Sequence, residues 1–417
     1  MKEVGNRCTS TSPGLSLITG GSTTTLAAPR RIAAERSCFD PLAPDVLPDP
    51  YPSLAELRSV SPVHWDEGRG QWPVLAHRQA VQVLRDVERF GSDPSRLGIE
   101  VTPALRSIQV ADPPDHARYR QAILAGLRAG VDIRLIVESA AERLLASGTV
   151  RGSRLEVMDG FAIPMALDVI ARVLGLAGAS LEPLAHWSRQ IVDSMDAGYR
   201  PETVAAGLAA REALNERLRA ELDRLARDPD DGALSSIIAA GALDEAELVN
   251  TSRVLLHSGF ASTAALLGGA VLALVEDGTA RDRLAADPGL WPLAAEELIR
   301  FCSPIQSITR FALRTVRLGG RRVERGDVVT VLLGAANRDP ARFPDPDLMR
   351  LDRSPNPHLG FGHGLHACLG AWLARIEVQV GVRLLLDGCA APRVVDGPVW
   401  RRNATIRSLD RLVISLS

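Results

Sequence analysis

The residues best placed to do chemistry lie near the C-terminus, in the run Phe361-Gly362-His363-Gly364-Leu365-His366-Ala367-Cys368-Leu369-Gly370. Its glycines let the backbone turn tightly and bring amide groups close to another atom. Cys368 stands just before an apolar helical pattern that runs from Leu369 to Leu386. Unpaired N–H groups and the positive dipole end at such a helix start stabilise negative charge on sulfur and lower its pKa. A shielded thiolate is a strong axial donor for haem iron, and its electron push favours O–O bond cleavage. The plainer reading is a structural cysteine buried in a loop-to-helix turn.

Two more groupings carry charge in useful positions. Asp112-Pro113-Pro114-Asp115-His116-Ala117-Arg118-Tyr119-Arg120 has the Asp and Pro signals of a helix start. His116 and Arg120 share one face of that helix, where two donors can grip a carboxylate, while Arg118 points elsewhere. Glu297-Leu298-Ile299-Arg300 sets a carboxylate and a guanidinium on one helical face, where they can pair. Taken alone, the first is a solvated basic face and the second a common surface pair.

The cysteine run resembles the haem-binding signature of the cytochrome P450 family, FGxGxHxCxG, with Phe361, Gly362, Gly364, His366, Cys368 and Gly370 at its fixed positions. The resemblance extends over roughly residues 40 to 417. It implies haem b with Cys368 as axial ligand, and haem carboxylates held by His116, Arg120, Arg310 and His366. It also implies a structural ExxR pair, Glu297 and Arg300, joined by an arginine of the irregular segment. Alignment on Phe343-Pro344-Asp345-Pro346-Asp347 puts that third member at Arg353, with Arg350 as a rival.

One departure stands out. Family members carry a glycine, an acid and an alcohol on the distal helix, and this chain reads Ser258-Gly259-Phe260-Ala261-Ser262-Thr263. Gly259 is kept, Ala261 replaces the acid and Ser262 the threonine. Gly259 with the hydroxyls of Ser262 and Thr263 still permits local widening of the helix beside the reacting centre. Ala261 can neither store nor transfer a proton. Protons then travel through Ser262 and water, or through a group on the substrate, or the reaction needs fewer of them, as in ring closure, coupling or nitration. By family position the substrate pocket draws on residues 96–106, 187–199 and 402–405 and on Leu256, Phe260, Ala261, Gln306 and Ile308.

The elements that must position these groups are mainly helical. Helical patterns cover residues 118–127, 133–145, 161–176, 183–195 and 202–225; a long segment, 243–274, is apolar nearly all round over its second half and should run through the interior. Strand-like runs lie at 62–65 and 72–76, and again at 305–313, 316–318, 321–323 and 328–332, with a hairpin about Asn403. The fold class is mainly α with a small β region, the P450 fold, with haem between the long distal helix and the helix after the cysteine loop. Length alone suggests two or three domains. The resemblance implies instead one catalytic domain, 39–417, after a disordered leader, 1–38, rich in Ser, Thr and Gly.

Composition limits the remaining choices. Hydrophobic residues make up 46% and charged residues 24% of the 417, ample for a folded core. The formal charge of -2 gives no overall attraction to nucleic acid or an anionic membrane. Lys2 is the only lysine, so the positive charge is nearly all arginine, which suits fixed carboxylate recognition. Cys8, Cys38, Cys302, Cys368 and Cys389 form no CxxC pair and fit a reducing, cytoplasmic setting. The resemblance implies a monooxygenase that hydroxylates or epoxidises a small organic molecule of secondary metabolism, and an atypical oxidation or a non-catalytic haem sensor stand as alternatives. No flavin or iron–sulfur motif is present, so electrons from NAD(P)H would arrive through a ferredoxin and its reductase. A monomer with no nucleic-acid or membrane partner is expected.

Overall fold

The computed structural model describes residues 39–416 except 103–104, 128–131, 147–152 and 177–180; the expected leader, 1–38, lies outside the described residues. The N-terminal part holds α1 (Tyr51–Val60), β1 (Gln71–Val74), α2 (His77–Arg85), β2 (Phe90–Gly91), α3 (Asp115–Leu127), α4 (Ile133–Ala146), β3 (Arg154–Glu156) and α5 (Ile163–Leu174). The middle is helical: α6 (Leu181–Ser194), α7 (Val204–Arg227), α8 (Ala233–Ala240), α9 (Glu245–Glu276), α10 (Gly278–Ala286) and α11 (Trp291–Cys302). Then follow β4 (Ser307–Ala312), β5 (Val316–Leu318), β6 (Arg321–Val323), β7 (Val328–Leu332), α12 (Leu333–Ala336), α13 (Ala371–Ile376), α14 (Arg383–Asp387), β8 (Val399–Trp400), β9 (Leu409–Arg411) and β10 (Val413–Ser415).

The long apolar segment is α9, whose start is fixed by a capping box. The Asp244 side chain accepts from the Glu247 amide, and the Glu247 side chain accepts from the Asp244 amide. Its apolar residues are buried on every side, so it forms the axis of the helical layer. The helix is long and apolar enough to span a membrane, and most of it is enclosed by the protein's own helices.

The main sheet has the order β1-β7-β4-β2, with β1 parallel to β7 and β4 antiparallel to both its neighbours. The N-terminal runs at 62–65 and 72–76 meet antiparallel at the bridges Val63–Val74 and Asp66–Gln71, and β1 also takes a parallel ladder from β7, far along the chain. The sheet serves the site by holding Arg310 on β4 and by ending β2 at Ser92. Helices α8 and α10 were not expected; each is short, and Asp277 starts α10 by accepting the Ala280 amide.

The helix after the cysteine loop runs as expected from about residue 371 to 387, with a π-helical turn, Glu377–Val382, joining α13 to α14. The hairpin about Asn403 is the pair β8 and β9.

Candidate active site

The cysteine loop is shaped by backbone geometry that only glycine meets. Gly362 and Gly364 have φ of 67° and 75°, and a Cβ on Gly364 would collide with the carbonyl oxygen of Leu84 on α2. The Cys368 amide donates to the Phe361 carbonyl at 2.9 Å, closing the loop. The Gly370 amide donates to the Cys368 sulfur. Arg375 stacks over the Phe361 ring at 4.6 Å and pairs with Glu296, which also meets the His358 ring at 3.1 Å.

The expected lowering of the Cys368 pKa is corrected by this geometry. Burial pushes the thiol up, and the Gly370 amide, Arg375 and Arg120 only partly offset it. The helix proper begins at Ala371, so its dipole end lies beyond the sulfur. Cys368 is nevertheless exposed. A sulfur that is accessible yet desolvated stands where coordination to a metal would remove the proton outright.

Beside it stands a set of cationic groups with too few partners. His116 is 1% exposed, yet neither ring nitrogen has a hydrogen-bond partner. Burial, with His366 and Arg120 nearby, brings its pKa down to about 4. Arg310 is also buried, which lowers its pKa to about 10, and its guanidinium donates to the neighbouring Thr309 carbonyl. Arg120 reaches the Leu365 and Ala367 carbonyls of the cysteine loop at 3.3 and 3.2 Å. The His366 ring lies 3.2 Å from the Ser92 hydroxyl and 3.8 Å from Asp112.

Asp112 is a residue whose role sequence reasoning missed, although it opens the Asp-Pro-Pro motif. Burial would raise its pKa, but bonds from His366, the Ser92 and Asp93 amides and Arg96 outweigh burial and hold it low. One carboxylate among His116, Arg120, Arg310 and His366 leaves donors in excess. That imbalance, with an orphaned buried imidazole, fits the two carboxylates of haem.

Behind the loop, Glu297, Arg300 and Arg353 come together with no exposure at the glutamate. Arg300 donates to both Glu297 oxygens at 2.8 Å, and Arg353 reaches both at 3.1 Å. Asn356 adds its amide at 3.1 Å. Of the two rival arginines, Arg350 contributes only its backbone amide, at 2.8 Å.

On α9 the Ser262 hydroxyl donates to the Ser258 carbonyl one turn earlier, at 2.8 Å, and the Gln109 amide reaches the Ser258 hydroxyl at 3.2 Å. Three expectations for this region change. A Cβ at Gly259 would stand 2.7 Å from Ile170, so this glycine lets α5 pack on α9 rather than widening the helix. Thr263 is buried, and Leu256 belongs wholly to the core. Phe260 and Ala261 line a cavity with Val192, Ala264 and Ile406. Gln306 donates its side-chain amide to the Ser303 carbonyl at 2.7 Å and lies over Gly334, and it lines a second cavity with Tyr199, Asn403 and Ala404. Ile308 lies beside Gly362 of the cysteine loop.

A helical core around one long apolar helix, with an exposed cysteine on a glycine-shaped loop beside Arg120, Arg310, His366 and a buried His116, has the parts of a haem-thiolate protein. The family model of cytochrome P450 matches residues 293–390, which hold Glu297 through the cysteine loop and the helix after it. The chain is 34% identical to 6-deoxyerythronolide B hydroxylase of Saccharopolyspora erythraea, over 88% of this chain and 96% of that one. It is also 34% identical to 20-oxo-5-O-mycaminosyltylactone 23-monooxygenase of Streptomyces fradiae, over 87% of each. The crystal structure of CYP109E1 from Bacillus megaterium superposes with a TM-score of 0.83 at 27% identity, over 88% of this chain and 98% of that one. This chain belongs to the cytochrome P450 family and is an oxidoreductase of the monooxygenase type.

Proposed function

We propose that residues 39–417 form one catalytic unit that hydroxylates or epoxidises a small, largely apolar intermediate of secondary metabolism. The observation that carries this reading is the accessible, desolvated Cys368 facing a cluster of cations with a single carboxylate among them. Haem held here by Cys368 would supply the activation of dioxygen. His116, Arg120, Arg310 and His366 hold its carboxylates, and Asp112 orients His366.

Within the protein, the Gly370 amide tempers the charge on the Cys368 sulfur, and Phe361 with Arg375 covers its flank. The Ser262 Oγ, bonded to the Ser258 carbonyl, is the hydroxyl that takes a proton from water and passes it on. Ala261 adds no acid to that relay, and this absence favours a second reading, an oxidative ring closure or coupling that consumes fewer protons.

Electrons originate in NAD(P)H and arrive through a ferredoxin and its reductase, which suits a cytoplasmic monomer. The half-exposed Arg375, close to Cys368, stands on the side on which an acidic ferredoxin docks. The relatives named 6-deoxyerythronolide B hydroxylase and 20-oxo-5-O-mycaminosyltylactone 23-monooxygenase favour a substrate of secondary metabolism.

The test has two stages. Purified protein should bind haem and give a strongly red-shifted Soret band when reduced under carbon monoxide; protein without haem ends the reading. Labelled dioxygen then separates the two reactions, since hydroxylation leaves one labelled atom in the product and ring closure leaves none.

A further inference from the structure

The end of α6 is tied to a turn at the far end of the chain by a carboxylate to which no role has yet been given. Asp196 is 1% exposed and accepts three bonds from that turn: the Ala404 amide at 2.6 Å, the Thr405 amide at 3.0 Å and the Thr405 hydroxyl at 2.7 Å. Its neighbour Asp193 pairs with Arg401 at 2.8 Å, and Arg200 donates to the Arg402 carbonyl at 2.7 Å.

The same turn is held from its other side. The Gln306 amide donates to the Thr405 carbonyl and the Arg407 amide to the Pro304 carbonyl, each at 2.8 Å. Ile406 forms an isolated bridge with Ile305 and packs with Val192 and Ala265, with Ala261 against them. Contact therefore runs from Asp196 through Thr405 and Ile406 to Ala261, which adjoins Ser262 on α9.

Only an ionised carboxylate meets this geometry. It accepts three donors at once and presents no hydrogen of its own. An asparagine that kept its oxygen on Thr405 would turn its NH2 group toward the Ala404 amide, and an alanine would leave two amides and a hydroxyl without their acceptor.

We propose that Asp196 is a positioning residue for substrate selection: by clasping the 403–406 turn to the end of α6, it sets the wall beside Ala261 and Ser262 and so the size of ligand the cleft admits. The proposal rests on the reading of the cleft as a haem site.

The test compares holoenzyme carrying Asp196→Asn or Thr405→Ala with the unmodified protein, using imidazole and the bulky azole clotrimazole as haem-binding probes followed by the Soret shift. Imidazole affinity should stay the same in all three. Clotrimazole affinity should change by about tenfold in Asp196→Asn, the scale of one hydrogen bond, and less in Thr405→Ala in the same direction. Equal changes for both azoles, or none for clotrimazole, would overturn the proposal. Hydrogen exchange at the Ala404 and Thr405 amides supplies an arm independent of haem. Exchange must quicken in Asp196→Asn, and unchanged exchange rejects the clasp even where haem binding itself has failed.

Discussion

The imidazole of His116 stands edge-on to that of His366, ring centroids 4.6 Å apart, and among the described residues no atom bonds either nitrogen of His116. A buried polar group without partners costs stability, on the order of 1–3 kcal/mol. His116→Leu should therefore leave haem-free protein as stable as before or more so, by up to about 2 kcal/mol in urea unfolding. The same change should speed haem loss to apomyoglobin, because a donor to a haem carboxylate is gone. Equal loss of both properties would mean that His116 is only a core residue.

Glu297 offers the opposite case, a buried charge with every partner in place. Glu297→Ala strands Arg300 and Arg353 in the interior and should cost about 3–5 kcal/mol, enough to remove most folded protein. Arg350→Ala, which spares the backbone amide that Glu297 uses, should change urea stability by less than about 0.5 kcal/mol. Comparable losses for Arg350→Ala and Arg353→Ala would contradict the assignment of Arg353 as third member.

Ser262 and Ala261 test the proton path. Ser262→Ala removes the hydroxyl bonded to the Ser258 carbonyl, so peroxide release should rise at the expense of product, by about tenfold or more in their ratio. Ala261→Asp places an acid in a cavity that Arg189 and Arg401 also line. If the lost acid merely weakened the relay, that variant should raise coupling. If the native reaction needs fewer protons, the product ratio should stay where it is.

How far the site could be read from sequence depends on how local each signal is. The cysteine loop and Glu297–Arg300 are local: spacing alone puts the side chains on one turn, and α11 and the loop at Gly362 and Gly364 form where expected. Asp112, Ser92 and Asp196 act across separations that periodicity does not encode. Gly259 shows the other limit. A glycine on an apolar helix marks a close approach, and only the fold says that the approaching group is Ile170. Leu256 likewise lies on α9 at a position whose facing depends on the helices packed around it, so family position placed it in the pocket and the structure places it in the core.

The last prediction concerns Glu377, in the π-helical turn after the cysteine loop. The residue is fully enclosed, neither carboxylate oxygen has a partner among the described residues, and burial raises its pKa well above the ordinary value. The unfolded chain releases this proton near pH ~4.3, while the folded protein keeps it to a much higher pH. Across that window the folded state binds one more proton than the unfolded state, so stability falls as pH rises, with a slope of up to about 1.4 kcal/mol per pH unit from this group. Glu377→Gln is close in shape and carries no titrating proton. It should flatten the slope of urea stability between about pH 5.5 and 8, and should be the more stable protein at the upper end of that range. Parallel stability curves for the two proteins would show that Glu377 is ionised in the fold and has found a partner there.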